Sequence, residues 1–208
     1  MKKALIFDLD NTIYPVRAIA DHLFEQLFAL LDEHAGSLHY DMMLAAKDEL
    51  KRRPYQLVAH KYNFSEELTS KGLELLQNIT YDLPMDAFPE YHEIKTVPLK
   101  KFLVTTGFTK LQWSKVDQLG IKADFEEIHI VDPQLSAKTK RDVFADISAR
   151  YHYTTEEVLV IGDDPESEIR AAHELGIDTF LFDPDDKHAD AEVTHRSNSL
   201  LGVLRHLS

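Results

Sequence analysis

The chain has no cysteine among its 208 residues. This absence excludes disulfide bonds and zinc sites built from thiolates. Long hydrophobic runs are also missing, and no segment approaches the length that a membrane-spanning helix needs. The apolar run that follows Met1-Lys2-Lys3 is too short for the core of a signal peptide. We therefore expect a cytoplasmic protein without a membrane partner.

Positive charge is scarce as well. The chain has 23 Lys plus Arg against 36 Asp plus Glu, a formal net charge of −13. Such a surface repels the nucleic-acid backbone, so we expect no nucleic-acid partner. A small anionic substrate would need local positive charge from a metal ion, a lysine or helix N-termini. Hydrophobic residues make up 44% of the chain, enough for a sizeable core in one α/β domain with an insertion or in two small domains.

The hydrophobic pattern divides the chain into two kinds of segment. From residue 15 to about 93, apolar residues recur at helical spacing, with helices predicted over 22–31, 40–50, 57–62 and 65–79. From Phe102 onward, short apolar strands alternate with helices, which favours a parallel sheet. The predicted strands are 4–7, 102–104, 127–131, 158–161 and 178–182, and the predicted helices of this part are 110–119, 140–150, 167–175 and 199–207.

These segments predict an α/β protein with a doubly wound, Rossmann-like parallel sheet. Residues 1–14 and 98–208 would form the α/β core domain, and residues 15–97 a small all-helical cap inserted after the first strand. No internal repeat or low-complexity segment is evident.

Asp8 and Asp10 end the first predicted strand. At the carboxyl end of a strand both side chains can turn toward the mouth above the sheet, where open α/β sheets bind ligands. Two carboxylates so close together repel each other, and Mg²⁺ relieves that repulsion while leaving room for a substrate phosphate. The structural alternative is an acidic turn that merely ends a strand.

Polar residues also follow two later strands. After residues 102–104 come Thr105, Thr106 and Gly107, where a hydroxyl and the backbone N–H groups of the turn could bind a phosphoryl oxygen. An ordinary strand-to-loop turn would use the same residues. After residues 158–161 come Gly162, Asp163 and Asp164, the last of which is also placed to cap the helix that Pro165 begins.

The segment Phe7-Asp8-Leu9-Asp10-Asn11-Thr12 resembles the first motif of the haloacid dehalogenase (HAD) superfamily of phosphatases. The resemblance implies that Asp8 is the nucleophile, which forms an aspartyl-phosphate, and that Asp10 is the general acid/base. It also implies a Mg²⁺ held by Asp8, by the backbone carbonyl of Asp10 and by Asp163. Residues 162–168 are similar to the family's Gly-Asp-x-x-x-x-Asp, whose second acid falls on Glu168, with Asp164 as a substitute.

Two further motifs carry the resemblance. Thr105 occupies the position whose hydroxyl binds the phosphoryl group, followed by Thr106 and Gly107. The segment 138–144 resembles a degenerate Lys-Pro-x-Pro-x-x-Phe motif without its prolines. Lys138 keeps the expected distance to Phe144 and is preferred as the motif lysine that neutralises the nucleophile and the phosphoryl group. Lys140 is the alternative motif lysine. The structural alternative is that this segment is only the solvated, basic start of a helix.

The resemblance therefore implies a Mg²⁺-dependent phosphomonoester hydrolase that acts on a small phosphorylated metabolite. Tyr14-Pro15 and the position of the cap resemble the pyrimidine 5′-nucleotidase-like and phosphoglucomutase-like branches, so a nucleoside monophosphate is the leading substrate. A phosphomutase stays open, as does a phosphonatase, which would need a reactive cap lysine such as Lys47, Lys51 or Lys61. A non-catalytic binding module that retained the fold is a further alternative. Asp10 disfavours a dehalogenase.

Overall fold

The computed structural model describes residues 1–34, 40–51 and 53–208. None of the helices in these ranges combines the length and the apolar character that would let it span a membrane. The α-helices are α1 (Ala20–Leu23), α2 (Glu25–Glu33), α3 (Tyr40–Leu50), α4 (Tyr55–Lys61), α5 (Glu66–Asn78), α6 (Tyr91–Ile94), α7 (Thr109–Leu119), α8 (Lys140–Tyr151) and α9 (Arg170–His173). The strands are β1 (Ala4–Phe7), β2 (Lys100–Thr106), β3 (Glu127–Val131), β4 (Val158–Gly162), β5 (Asp178–Phe182) and β6 (His195–Ser197).

The strands form one six-stranded sheet in the order β3-β2-β1-β4-β5-β6. Every neighbouring pair is parallel. In β1, Leu5 and Phe7 pack into the hydrophobic cluster on one face, and Ala4 and Ile6 pack into the cluster on the other. A strand that is buried on both faces must be apolar throughout, which explains its unbroken hydrophobic run. The predicted doubly wound α/β fold is confirmed.

Three local predictions were wrong. We expected residues 178–182 to be the last strand, but β6 pairs with β5 beyond them; it has only three residues and no apolar alternation. The helix predicted over 22–31 is interrupted at Phe24, where α1 ends and α2 begins. The helix predicted over 167–175 begins earlier, as a π-turn over Pro165–Ile169, and continues as α9.

The inserted helices have a hydrophobic cluster of their own, to which α2, α3, α4 and α5 contribute. The segment after α5 returns to the sheet instead. Tyr91 packs edge-on against Phe7 with ring centroids 6.2 Å apart, and Phe88 N–H donates to the Ile13 carbonyl at 2.7 Å. Residues 81–94 of the predicted cap therefore belong by their contacts to the sheet's cluster. The division into a core and a cap domain stays a prediction.

Candidate active site

The candidate site lies at the carboxyl edge of the three central strands. Asp8 follows β1, Asp163 follows β4, and Thr105 lies near the end of β2. Because β2, β1 and β4 are adjacent and parallel, their carboxyl ends meet at one edge of the sheet. Asp8 N–H donates to the Ile161 carbonyl at 2.9 Å, which fixes the backbone of Asp8 beside β4.

Three carboxylates converge at this edge. Asp8, Asp163 and Glu168 each offer one oxygen, and these oxygens all lie within 4.8 Å of one another. Asp8 and Glu168 are buried, and Asp163 is half-buried. Burial, reinforced by the neighbouring acids, raises the pKa of Asp8 and that of Asp163 above their ordinary values. The surroundings therefore disfavour the ionised forms of Asp8 and Asp163.

Lys140 is the cation of this cluster. Its Nζ lies 2.6 Å from Asp8 Oδ1 and 2.7 Å from Glu168 Oε2. Burial opposes the charged form of Lys140, but the two acids outweigh it and raise its pKa above the ordinary value. Asp163 has no ion pair within residues 1–34, 40–51 and 53–208, where Thr12 Oγ1 donates to its Oδ1 at 3.3 Å.

The preferred motif lysine, Lys138, is not in the cluster. It is exposed, and Lys140 takes the position expected for it. The reason is the start of α8, where Thr139 is the N-cap and forms a capping box with Asp142. Lys140 is consequently the first residue of the helix, while Lys138 precedes the cap. The expectation that Lys138 contacts Asp8 is wrong, and the alternative register places Lys140 there.

Glu168 and Asp164 have different surroundings. Glu168 Oε1 accepts a hydrogen bond from Asp164 N–H at 2.8 Å, so with Lys140 both carboxylate oxygens are bonded. A Cβ on Gly162 would lie only 2.1 Å from Glu168 Oε1, which explains glycine at that position. Asp164 is exposed, and its Oδ1 accepts from Glu166 N–H at 2.8 Å. Asp164 therefore caps the following turn, and Glu168 is the acid that joins the cluster.

Asp10 faces a separate set of donors. Its carboxylate accepts hydrogen bonds from the Tyr14 hydroxyl, from Lys115 Nζ at 2.7 Å and from Gln112 Nε2 at 2.9 Å. Burial favours the neutral acid, but the charge and the hydrogen bond of Lys115, together with the hydrogen bonds from Tyr14 and Gln112, lower the pKa of Asp10. Before substrate binds, its side chain is thus held as a carboxylate. Gln112 and Lys115 were not predicted from the sequence; their i,i+3 spacing puts them on one face of α7, but no local signal shows what that face meets.

Thr105 is the buried hydroxyl of the site, and its Oγ1 accepts a hydrogen bond from Gln112 Nε2 at 2.6 Å. Thr106 is exposed at the end of β2. Gly107 N–H donates to the Val131 carbonyl at 3.0 Å, so this N–H is already bonded. The phosphoryl-binding role of the backbone in this turn stays a prediction. Gly107 has a φ of 155°, and a Cβ there would meet Gln112 Cδ at 3.0 Å.

The donor set suits a hard divalent cation. The cluster consists of carboxylate oxygens, and Lys140 can offset the charge of one of its three acids. Glu168 accepts one hydrogen bond on each oxygen. Among the described residues, Asp8 is bonded through Oδ1 and Asp163 through a 3.3 Å bond from Thr12, so these two side chains have the greater capacity for a metal ion.

Comparisons with known proteins give the family of this chain. The family model for haloacid dehalogenase-like hydrolases matches residues 2–176. The glyceraldehyde 3-phosphate phosphatase of Methanopyrus kandleri is 26% identical, covering 100% of this chain and 99% of its own. The ribulose-1,5-bisphosphate 5-phosphatase of Halopiger xanaduensis is 24% identical over 95% of this chain and 91% of its own length. The magnesium-bound structure of YfnB from Bacillus subtilis shares the fold, with a TM-score of 0.69 at 19% identity over 100% of this chain and 99% of that chain.

The predicted enzyme class, an HAD-like phosphatase, is confirmed by the family match together with these phosphatase relatives. The branch within the superfamily stays a prediction. With the family model covering residues 2–176 and the acids of its motifs gathered at one sheet edge, the chain belongs to the haloacid dehalogenase-like hydrolases.

Proposed function

We propose that the protein is a Mg²⁺-dependent phosphomonoester hydrolase that acts through an aspartyl-phosphate on a small phosphorylated sugar. The observation that carries the proposal is the buried Asp8 carboxylate, 2.6 Å from Lys140 Nζ and clustered with Asp163. This arrangement provides a nucleophile, a fixed positive charge and the oxygen ligands of a divalent cation in one place.

Asp8 is the nucleophile in this scheme. The bond from Lys140 fixes Asp8 Oδ1, so the carboxylate has a defined orientation at the carboxyl edge of the sheet. An Asp8 oxygen forms a bond to phosphorus as the ester P–O bond breaks. Asp10 takes up a proton when the negatively charged ester binds, and it gives that proton to the leaving oxygen. Water then attacks phosphorus, Asp10 takes a proton from it, and the bond between phosphorus and Asp8 breaks to release phosphate.

Charge on the phosphoryl group is stabilised by three groups. When bound at Asp8, Asp163 and the Asp10 carbonyl, Mg²⁺ supplies positive charge to the phosphoryl oxygens and to the crowded acids. Lys140 supplies a second positive charge. Because Gln112 donates to Thr105 Oγ1, the hydroxyl hydrogen of Thr105 is left to donate to a phosphoryl oxygen. Glu168 holds Lys140 in place from the other side.

The substrate class rests on the relatives. Those from Methanopyrus kandleri and Halopiger xanaduensis are named for glyceraldehyde 3-phosphate and ribulose 1,5-bisphosphate, both small phosphorylated sugars. The nucleoside monophosphate predicted from the sequence stays a prediction, and so do the absence of a nucleic-acid partner and the cytoplasmic location. The phosphonatase alternative is disfavoured, because the cap lysines that it would use are ion-paired: Lys47 with Asp32, Lys51 with Asp21, and Lys61 with Glu49.

A phosphate-release screen tests the proposal. Glyceraldehyde 3-phosphate, ribulose 1,5-bisphosphate and a set of nucleoside monophosphates are offered with Mg²⁺ and with EDTA, to the native protein and to Asp8→Asn. We expect Mg²⁺-dependent release from a sugar phosphate and none from the variant. Release that persists in Asp8→Asn would contradict the proposal. A product that keeps its phosphate at a new position would indicate the phosphomutase instead.

A further inference from the structure

The two oxygens of the Asp10 carboxylate have different surroundings. Oδ1 accepts hydrogen bonds from both the Tyr14 hydroxyl and Lys115 Nζ. Oδ2 accepts one from Gln112 Nε2, and the described residues supply it with no second donor. A carboxylate oxygen has two lone-pair sites, so Oδ1 is fully bonded while one site on Oδ2 is free.

The three donors are themselves held firmly. Tyr14 and Gln112 are each 1% exposed, and Lys115 is 4% exposed. The Lys115 ammonium also lies 5.8 Å from the centre of the Tyr14 ring, a distance at which the two attract each other. Buried polar groups cost free energy unless they are bonded, so three of them around one carboxylate fix its orientation.

Gln112 connects Asp10 to the phosphoryl-binding side of the site. The same Nε2 that donates to Asp10 Oδ2 lies 2.6 Å from Thr105 Oγ1. The free lone-pair site of Oδ2 is therefore on the carboxylate oxygen that shares its donor with the hydroxyl proposed to bind the phosphoryl group.

We propose that Tyr14, Gln112 and Lys115 are positioning residues that hold Asp10 so that Oδ2, and not Oδ1, exchanges protons during the reaction. Oδ2 takes up a proton when the phosphate ester brings its negative charge to the site, and it gives that proton to the leaving oxygen as the ester P–O bond breaks. It then takes one proton from the water that displaces Asp8 from phosphorus. The inference rests on the proposed function, and it adds residues from the turn after β1 and from α7 to the reaction.

Two variants separate this role from a general effect on the fold. Tyr14→Phe removes one hydroxyl and leaves the ring in place, and Lys115→Met removes the charge from a chain of similar length. Tyr91→Phe is the matched control, because Tyr91 is equally buried and its hydroxyl bonds Asp124 at 3.1 Å instead of a residue of the site. Thermal unfolding of each variant verifies that it is folded.

The readout is the first-turnover release of the leaving group from two substrates. An alkyl phosphate, here glycerol 3-phosphate or the best sugar phosphate of the screen, needs a proton on its leaving oxygen. 4-Nitrophenyl phosphate does not, because nitrophenolate is a stable anion. Since general acid catalysis contributes about 10²- to 10⁴-fold, we expect Tyr14→Phe and Lys115→Met to slow release from the alkyl phosphate by about 10-fold or more. Release of nitrophenolate and the KM values should change by less than about twofold, and Tyr91→Phe should match the native protein.

Equal slowing on both substrates, or no slowing on the alkyl phosphate, would overturn the positioning role. Should Lys115→Met fail to fold, Tyr14→Phe decides alone, since it leaves the ring in place. Failure of the proposed function has a different signature, which is a native protein that releases neither leaving group or an Asp8→Asn variant that still releases both.

Discussion

Lys140 Nζ lies 2.6 Å from Asp8 Oδ1, and both side chains are about 7% exposed. A buried ion pair costs desolvation free energy that is recovered only with good geometry and further hydrogen bonds. Here Glu168 supplies the further bond, at 2.7 Å from the same ammonium. The pair therefore sets both the orientation of the proposed nucleophile and the charge beside it.

The first prediction concerns the lysine of the site. Lys140→Ala should lower kcat/KM for the best phosphate ester by about 100-fold or more, because it removes a fixed positive charge from the phosphoryl group. Lys138→Ala is the matched control, two residues earlier and exposed, and should stay within about twofold of the native protein. Steady-state kinetics on both variants is the measurement. A larger loss of kcat/KM for Lys138→Ala would show that Lys138 is the motif lysine, as the sequence pattern favoured.

This pair of lysines shows what sequence patterns can and cannot predict. Both lie in the motif segment, and its missing prolines left the register open. The capping box Thr139-x-x-Asp142 is a local signal, and it would have marked Lys140 as the first helical residue. The acids at the strand ends were predictable because buried apolar runs define where the strands stop.

Other parts of the site depend on contacts between distant segments. Gln112 and Lys115 lie about a hundred residues from Asp10 in the chain, and only the packing of α7 against the sheet brings them to it. The hydrogen bond from the Gly107 N–H to the Val131 carbonyl likewise depends on the position of β3. The return of residues 81–94 to the sheet has the same origin, since their apolar residues fit a cap or a core equally well.

The second prediction concerns the metal ion. Mg²⁺ added to EDTA-treated protein should raise the midpoint of thermal unfolding, because it binds the folded state; at a hundred times Kd the gain is about 2.7 kcal/mol. Asp163→Asn should abolish most of this shift. Asp164→Asn should keep it, because that side chain caps a turn outside the cluster. An equal shift in all three proteins would place the ion elsewhere.

The third prediction concerns stability away from the site. The Arg150 guanidinium of α8 donates two hydrogen bonds of 2.6 Å to Glu127 of β3 and lowers the pKa of Glu127 to about 2. Because the folded-state pKa is depressed, the stabilisation is complete above about pH 4.5 and is lost as the pH falls toward 2. Glu127→Gln should therefore lower the free energy of unfolding by about 1 kcal/mol at pH 7.

Urea unfolding at pH 7 and at pH 3 measures this effect, with Glu126→Gln as control because Glu126 is exposed and pairs with Lys100 instead of Arg150. The difference between Glu127→Gln and the native protein should shrink at pH 3. A difference of the same size at both pH values would show that charge is not its cause.

The most direct test of the account is to trap the phosphorylated enzyme. The native protein is mixed with Mg²⁺ and its best phosphate ester, quenched in acid within the first turnovers, digested and mapped by mass spectrometry. We predict a phosphoryl group on the Asp8 side chain that is absent from Asp8→Asn. A phosphoryl group on another residue, or phosphate release with none trapped on Asp8, would contradict the account.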